Sequence, residues 1–353
     1  MILEYLKWRG DLEFKSDKFN KIDALILARV SYIYFEGIIK KNETKVLKEA
    51  MNEFLESEDR EQRTIWPYDI DLAKALIKSK RYSNLILSDY VNNVDNDEEK
   101  QFSAMVITLP DNVRYVSFRG TDDTVVGWKE DFNMSFTNKV PAQIESVSYL
   151  KKVLEKYDDK VIIGGHSKGG NLAIYSSIFI EDEYKKRILR IYNFDGPGFN
   201  NEILEDQRYE MILSKIETYI PKASVVGLFL ERKEKVKIVG SSQKLIMQHD
   251  VYSWNILGKD FIYEKNLTVD SKVLSKSVTS WLETVEEEQR KEFVDLLFTS
   301  ISGINLNMKE IVTSWQSTGQ VLLKTIKEPV LRDMLFKTLG IIYEEYKKEM
   351  FKK

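Results

Sequence analysis

The stretch Val161–Ser177, VIIGGHSKGGNLAIYSS, constrains the fold more than any other. It passes from a strand-like apolar run through a Gly-His-Ser-Lys-Gly turn straight into a helix-like run. A serine can attack a carbonyl only if a base takes its proton, its oxygen projects freely, and nearby donors stabilise the oxyanion. A sharp strand-to-helix turn supplies the last two. Small residues at Gly165 and Gly169 permit close backbone approach, and the following helix aims its N-terminal N–H groups at the developing charge. Ser167 is therefore the candidate nucleophile, against the alternative of an ordinary serine in a tight turn. Residue order disfavours nucleotide binding here. A phosphate-binding Walker loop needs Gly-Lys followed by Ser or Thr, whereas Ser167 precedes Lys168 and Gly169, and no Gly-x-Gly-x-x-Gly occurs.

The segments around this turn alternate. FSAMVITL and VRYVSF flank Pro110, Asp111 and Asn112, which predicts a β-hairpin. A helix is expected at about 142–156, a strand at Val161–Ile163, a helix after Ser167, a strand at RIYNF and a helix near 202–213. Such alternation predicts an α/β fold with a largely parallel sheet covered by helices. Upstream, the first hundred residues read as helices, from IDALILARVSYIYFEGII to LAKALIKSKRYSNLILSDYV. Beyond about Tyr263 the alternation stops. Leu274, Val278, Trp281 and Val285, and later Leu331, Leu335, Leu339, Ile342 and Tyr346, fall at helical spacing. The expected division is a main domain over 1–264 and a helical appendage over 265–353, packed on the sheet domain or offered to a partner.

Composition narrows the function classes. Lys and Arg total 53 against 56 Asp and Glu, a net charge of −3, which gives no reason to expect nucleic acid or an acidic membrane surface as partner. There is no cysteine, which excludes disulfides, thiolate metal sites and a cysteine nucleophile, and fits a reducing, cytoplasmic setting. Charged residues at Lys7, Arg9, Asp11, Glu13 and Lys15 interrupt the start where a signal peptide would need an apolar stretch. No apolar run reaches the roughly 18 residues of a membrane span.

GGHSKGGNLA together with VSFRGTDDTVVGWKEDF resembles the class 3, fungal triglyceride type, lipases of the α/β-hydrolase fold. It is more closely similar to a bacterial lipase-like family of unknown function in which the Ser-Lys-Gly-Gly-Asn run is a hallmark. The resemblance covers roughly 22–254 and implies a serine hydrolase acting on a carboxylic ester of an acyl lipid or small acyl compound, with no metal or organic cofactor.

The chain holds two histidines, so the search for a base is short. His166 adjoins Ser167, and neighbours on a turn project differently, which leaves His249. It follows the last predicted strand, VKIVG, where the order Ser, acid, His requires a base. The family's histidine shortly before a tryptophan is matched by His249 and Trp254. A histidine without catalytic role is the alternative. For the acid, class 3 lipases resemble this chain in the segment ETYIPKASVVGLF, but Ser224 stands where their Asp would fall. One strand earlier, IYNFDGPGFN resembles the turn in which pancreatic-type lipases carry their acid. Asp195, 28 residues after Ser167, is therefore the expected acid, against a turn-forming Asp. Asp250 is badly placed beside His249, and Glu231 and Glu234 are reserves.

Elbow geometry makes the Lys168 N–H one oxyanion donor. The resemblance implies the Thr121 N–H as the second, at the end of the Arg119-Gly120-Thr121 run, with its hydroxyl as a further donor. The Lys168 ammonium is expected to pair with Asp122 or Asp123, or to select an anionic head group. Trp128 and Asp131 are expected to brace the loop, and Val225–Leu230 to line an acyl pocket or fill core. A non-catalytic scaffold, and a thioesterase or amidase with the same residues, are the rival readings. Oligomeric state is left open.

Overall fold

Strands buried on both faces carry apolar residues almost without interruption, and this chain's central strands do so. The computed structural model describes residues 1–122, 125–134, 139–286 and 288–290, with a few residues between 332 and 348. Eight strands form one sheet: β1 Thr44–Val46, β2 Ile86–Asp95, β3 Lys100–Leu109, β4 Val113–Phe118, β5 Lys160–His166, β6 Ile188–Phe194, β7 Ile216–Pro221 and β8 Val236–Val239. β1 to β4 pair antiparallel and β4 to β8 pair parallel. The helices are α1 Ile2–Arg9, α2 Lys21–Val30, α3 Leu47–Glu56, α4 Tyr68–Lys78, α5 Val125–Asn133, α6 Pro141–Lys156, α7 Lys168–Phe179, α8 Asp182–Lys185, α9 Asn201–Glu205, α10 Gln207–Leu213 and α11 Val269–Thr284.

The strands lie in the sheet in the order in which they occur in the chain. Right-handed crossovers between successive neighbours then all fall on one face. α6, α7 and α10 occupy that face, packing on Ala104, Val106, Val116 and Ile163. The opposite face, with Met105, Ile107, Tyr115 and Ile162, would be bare without the N-terminal helices α1 to α4, which cover it. Successive residues of one strand thus feed two cores, and each buried Ile or Leu contributes roughly 1.5–3 kcal/mol.

α2 is the central element of the N-terminal layer. Asn20 and Asp23 form a capping box, with Ile22 N–H on Asn20 Oδ1 at 2.8 Å and Asn20 N–H on Asp23 Oδ2 at 2.8 Å. Every residue from Ile22 to Val30 is buried. The apolar residues on all sides require it, and its two charged residues are paired within the core: Asp23 with Arg81 and Arg29 with Asp69, each at 2.6 Å.

The β3–β4 hairpin forms as its sequence predicts, with Asp111 and Asn112 both at positive φ in the turn. The helical reading of the first hundred residues fails at two places, the short strand Thr44–Val46 and the end of the second run. α4 ends at Lys78, and Ile86–Asp95 is a strand hydrogen-bonded along β3, because pairing with a long apolar neighbour outweighs local propensity. The predicted helix near 202–213 breaks at Asp206, which caps α10 by accepting the Arg208 N–H at 2.9 Å. α11 begins against the sheet domain: Thr268 N–H donates to Lys222 O at 2.8 Å and Ser275 Oγ to Leu228 O at 3.1 Å. The side chains of Leu274, Val278 and Trp281, and all of Leu331, Leu335, Leu339, Ile342 and Tyr346, lie outside the described residues. Among the described residues no helix is long and apolar enough to cross a membrane.

Candidate active site

Ser167 sits between β5 and α7 with φ 58° and ψ −135°, a backbone conformation rare for a residue with a side chain. The turn is tight enough to demand glycine on both sides: a Cβ at Gly165 would lie 2.3 Å from the Gly169 carbonyl carbon, and one at Gly169 2.1 Å from Phe118 O. The close packing of α7 on β4 and β5 thereby holds the serine at the sheet edge with only 8% of its surface exposed.

Asp195 occupies the same edge, one strand over, at the end of β6. It too has positive φ, 53°, and its N–H donates to Tyr219 O at 2.8 Å. Its carboxylate is fully buried. One oxygen, Oδ2, lies 2.7 Å from His249 Nδ1, and the other accepts the Ser224 hydroxyl at 2.5 Å. The Gly227 N–H donates to Ser224 Oγ at 2.9 Å, which turns the hydroxyl proton toward Asp195. Ser224, just beyond the end of β7, thus contacts the carboxylate from the side of the neighbouring strand. The reserve acids are engaged elsewhere. Glu234 is buried and accepts from Tyr209 and Thr218 hydroxyls, each at 2.7 Å, while Glu231 is exposed. Asp250 accepts the Tyr252 N–H at 2.9 Å and caps the next turn.

The His249 loop is fixed by its neighbours in sequence. Trp254 Nε1 donates to Gln248 O at 2.8 Å, and the Gln248 side chain accepts the Ala223 N–H at 2.9 Å and donates to Gln243 O at 2.8 Å. Trp254 therefore holds the turn that carries the histidine. His166 is fully separated from the role of base by its direction: its Nε2 lies 2.9 Å from the His249 carbonyl oxygen.

On the other side of the elbow, Lys168 departs from the expected pairing. Its Nζ lies 2.8 Å from Glu130 Oε2 and 2.8 Å from Gln101 O, and both charged side chains are only 1% exposed. Asp122 pairs instead with Arg119 at 3.2 Å, and Asp123 lies outside the described residues. A buried ammonium requires a carboxylate at the same depth, and Glu130 on α5 provides it while also accepting the N–H groups of Gln101 and Ala142, at 3.1 and 2.8 Å. The ammonium is thus held inside the protein and does not face an anionic head group. Thr121 donates its hydroxyl to Asp131 Oδ2. Burial pushes the Asp131 carboxyl up to about 6, against the opposing pull of Lys168 and Thr121. The side chain of Trp128 lies outside the described residues.

The Mbeg1-like family description matches residues 76–299, more than half of the chain and all of the elbow, the acid turn and the histidine loop. The chain belongs to the Mbeg1-like family. Solved structures similar to it include lipase II from Rhizopus niveus, at 16% identity over 44% of this chain and 66% of that one, with a TM-score of 0.33. A Rhizomucor miehei lipase propeptide complex is 15% identical over 59% of this chain and 68% of that one, with a TM-score of 0.36. A mutant form of MDLA from Penicillium cyclopium is 9% identical over 70% and 87%, with a TM-score of 0.41. No curated protein matches the chain. The family's lipase-like α/β-hydrolase fold is the one built here by the sheet, the flanking helices and the strand-elbow-helix unit.

Two residues, one in the hallmark run and one in GWKEDF, have roles that the sequence reading missed. Asn171 donates to the carbonyls of Gly198 and Pro197, at 2.8 and 3.3 Å, and so holds the turn that follows Asp195. Glu130, between Trp128 and Asp131 in GWKEDF, is the partner of Lys168. The available signal was chemical: a lysine inside an apolar strand-turn-helix unit needs a buried acid.

Proposed function

We propose that this Mbeg1-like protein is a serine hydrolase that cleaves a carboxylic ester of an acyl lipid or small acyl compound. The observation that carries the proposal is the 2.7 Å contact between His249 Nδ1 and Asp195 Oδ2 on the sheet edge that bears the strained Ser167. A carboxylate accepts only, so Nδ1 carries the proton and Nε2 is left as the basic nitrogen. In the proposed reaction His249 Nε2 takes the Ser167 hydroxyl proton as Oγ bonds to the ester carbonyl carbon. The tetrahedral oxyanion then collapses, the proton passes to the departing alcohol oxygen, and an acyl-enzyme remains. Water, deprotonated by the same nitrogen, releases the acid and regenerates the serine. Asp195 keeps the tautomer and stabilises the imidazolium, and Ser224 steadies Asp195.

The N–H groups of Lys168 and Thr121 are the proposed oxyanion donors, each contributing about 3 kcal/mol of transition-state stabilisation. While Asp131 is ionised it accepts the hydrogen bond of the Thr121 hydroxyl, so Thr121 contributes through its backbone alone. The half-buried run Val225–Leu230 is the proposed acyl wall. The hydrogen bond from Ser224 to Asp195 supports this reading over the non-catalytic scaffold.

The test is hydrolysis of p-nitrophenyl esters from acetate to palmitate, with fluorophosphonate labelling of the same preparations. Ser167→Ala and His249→Ala are expected to lose about 10^5- to 10^6-fold in kcat and Asp195→Asn about 10^4-fold. Folded wild type that neither turns over esters, thioesters or amides nor labels at Ser167 would refute the proposal.

A further inference from the structure

His166 is a buried ionisable group that the proposed reaction does not use. Its ring packs on the His249 ring with centroids 4.5 Å apart and an interplanar angle of 34°. Its Nε2 faces the His249 carbonyl oxygen at 2.9 Å, and its Nδ1 lies 3.0 Å from the Tyr32 hydroxyl. A carbonyl oxygen only accepts, so Nε2 carries the hydrogen, and in the neutral ring Nδ1 is the acceptor. Burial, with His249 and the Arg29 guanidinium nearby, holds His166 well below the usual imidazole range and so keeps it neutral.

Tyr32, two residues beyond the end of α2, completes the arrangement. Its hydroxyl shares its hydrogen between His166 Nδ1 and the His166 carbonyl, each at 3.0 Å. Its oxygen lies close against the Gly120 backbone. A Cβ at Gly120 would stand 2.1 Å from this oxygen and 2.9 Å from Ser167 Cβ, so glycine is the residue that lets the three segments converge. Arg29, held by Asp69, lies 3.9 Å from the Tyr32 ring centroid and fixes the phenol from behind.

We propose that His166 and Tyr32 are positioning residues that bind three segments to one another: the base loop at His249, the elbow at Ser167 and the oxyanion strand end at Gly120. Neither touches the reacting atoms. Trp254 and Gln248 anchor the preceding residue of the base loop, and among the described residues His166 alone bonds the His249 carbonyl to the elbow. Loss of positioning by about 1 Å is enough to cost about 100-fold in rate. The kinetic consequence rests on the serine-hydrolase reading above; the hydrogen-bond network does not.

The experiment has two arms. The chain's two histidines give two sets of ring signals in uniformly 15N-histidine-labelled protein. One set is expected to stay in the neutral, Nε2-protonated form between about pH 5 and pH 8, to be absent in His166→Gln, and to change its Nδ1 shift in Tyr32→Phe. A His166 ring that carries its proton on Nδ1, or that titrates in this range, overturns the brace whether or not any ester is cleaved. In the kinetic arm His166→Phe keeps the ring contact without the donor and is expected to lower kcat about 10- to 100-fold with KM nearly unchanged. His166→Gln, whose amide nitrogen stands near the place of Nε2, is expected to stay within about threefold of wild type. Wild-type kcat in a folded His166→Phe, or equal losses in Phe and Gln variants of equal stability, overturns the positioning role. If wild type cleaves nothing, the hydrolase reading fails and the first arm alone decides the network.

Discussion

The acid side and the oxyanion side of the elbow are attached to it in different ways. Toward the acid, the links are hydrogen bonds to uncharged backbone or from neutral groups: Asn171 to the Pro197 and Gly198 carbonyls, Arg232 to the Gly196 and Gly227 carbonyls, Ser224 to Asp195, and the Ala223 N–H to Gln248. Toward the oxyanion strand, they are charges: Lys168 with Glu130, Arg119 with Asp122, and Asp131 under Thr121. A neutral hydrogen bond contributes about 1 kcal/mol and is indifferent to pH near neutrality. A buried ion pair adds little net stability, but removing one member strands the other in a medium that solvates it poorly. Damage to the acid side should therefore be graded, and damage to the oxyanion side abrupt and dependent on pH.

The largest effect is expected at Lys168. Lys168→Met leaves Glu130 charged and buried without its cation, at a cost of about 3–5 kcal/mol in a urea unfolding titration. The double variant Lys168→Met with Glu130→Gln should regain most of that, because no uncompensated charge remains. Single and double variants of equal stability would break the comparison, since the ion pair would then be no different from the hydrogen bonds opposite.

How far the sequence led is instructive at these same residues. The strand, turn and helix around Ser167 were legible because glycine spacing and an apolar run are local signals, and the hairpin at Pro110–Asn112 was legible for the same reason. β2 was not, because Ile86–Asp95 becomes a strand only by lying along β3. The N-terminal helices could be read as helices, but their purpose could not: covering one face follows from the sequential strand order, which no local pattern encodes. Asp195, Thr121 and His249 could be singled out from chain order and family likeness. Glu130, Asn171 and Tyr32 could not, since each acts through a contact distant in sequence. Lys168 carried the one overlooked clue, being a charge in an otherwise apolar unit.

A smaller and purely electrostatic effect is expected at Asp131. Its carboxyl is pushed up from the ordinary 3.8 to about 6, so between those values the folded protein holds a proton that the unfolded chain releases. The contribution to stability is full below about 3.8 and is lost as pH rises through about 6. Asp131→Asn removes this dependence, so its stability relative to wild type should rise across that interval. The gain is at most about 3 kcal/mol, and smaller to the extent that solvent reaches the 27% of the side chain left exposed. Thermal unfolding of both proteins between about pH 4 and pH 7 measures it. A parallel pair of curves would place the Asp131 charge outside the folding equilibrium and weaken the electrostatic account of this side.

Ser224→Ala sharpens the comparison from the acid side. The substitution removes the hydroxyl donor from Asp195 and leaves the Gly227 N–H without its acceptor, while the His249 contact and the Asn171 clamp on the turn remain. Asp195 then has one fewer restraint on its orientation and a carboxylate less stabilised as the anion. The expected loss is about 1–2 kcal/mol of stability and about tenfold in kcat on the best p-nitrophenyl ester, with no change in the pH dependence of unfolding near neutrality. A collapse as deep as that of Lys168→Met would mean that Ser224 does more than steady the acid. Its position, one strand over, would then be the true centre of the acid side, with Asp195 supported there almost entirely by one hydroxyl.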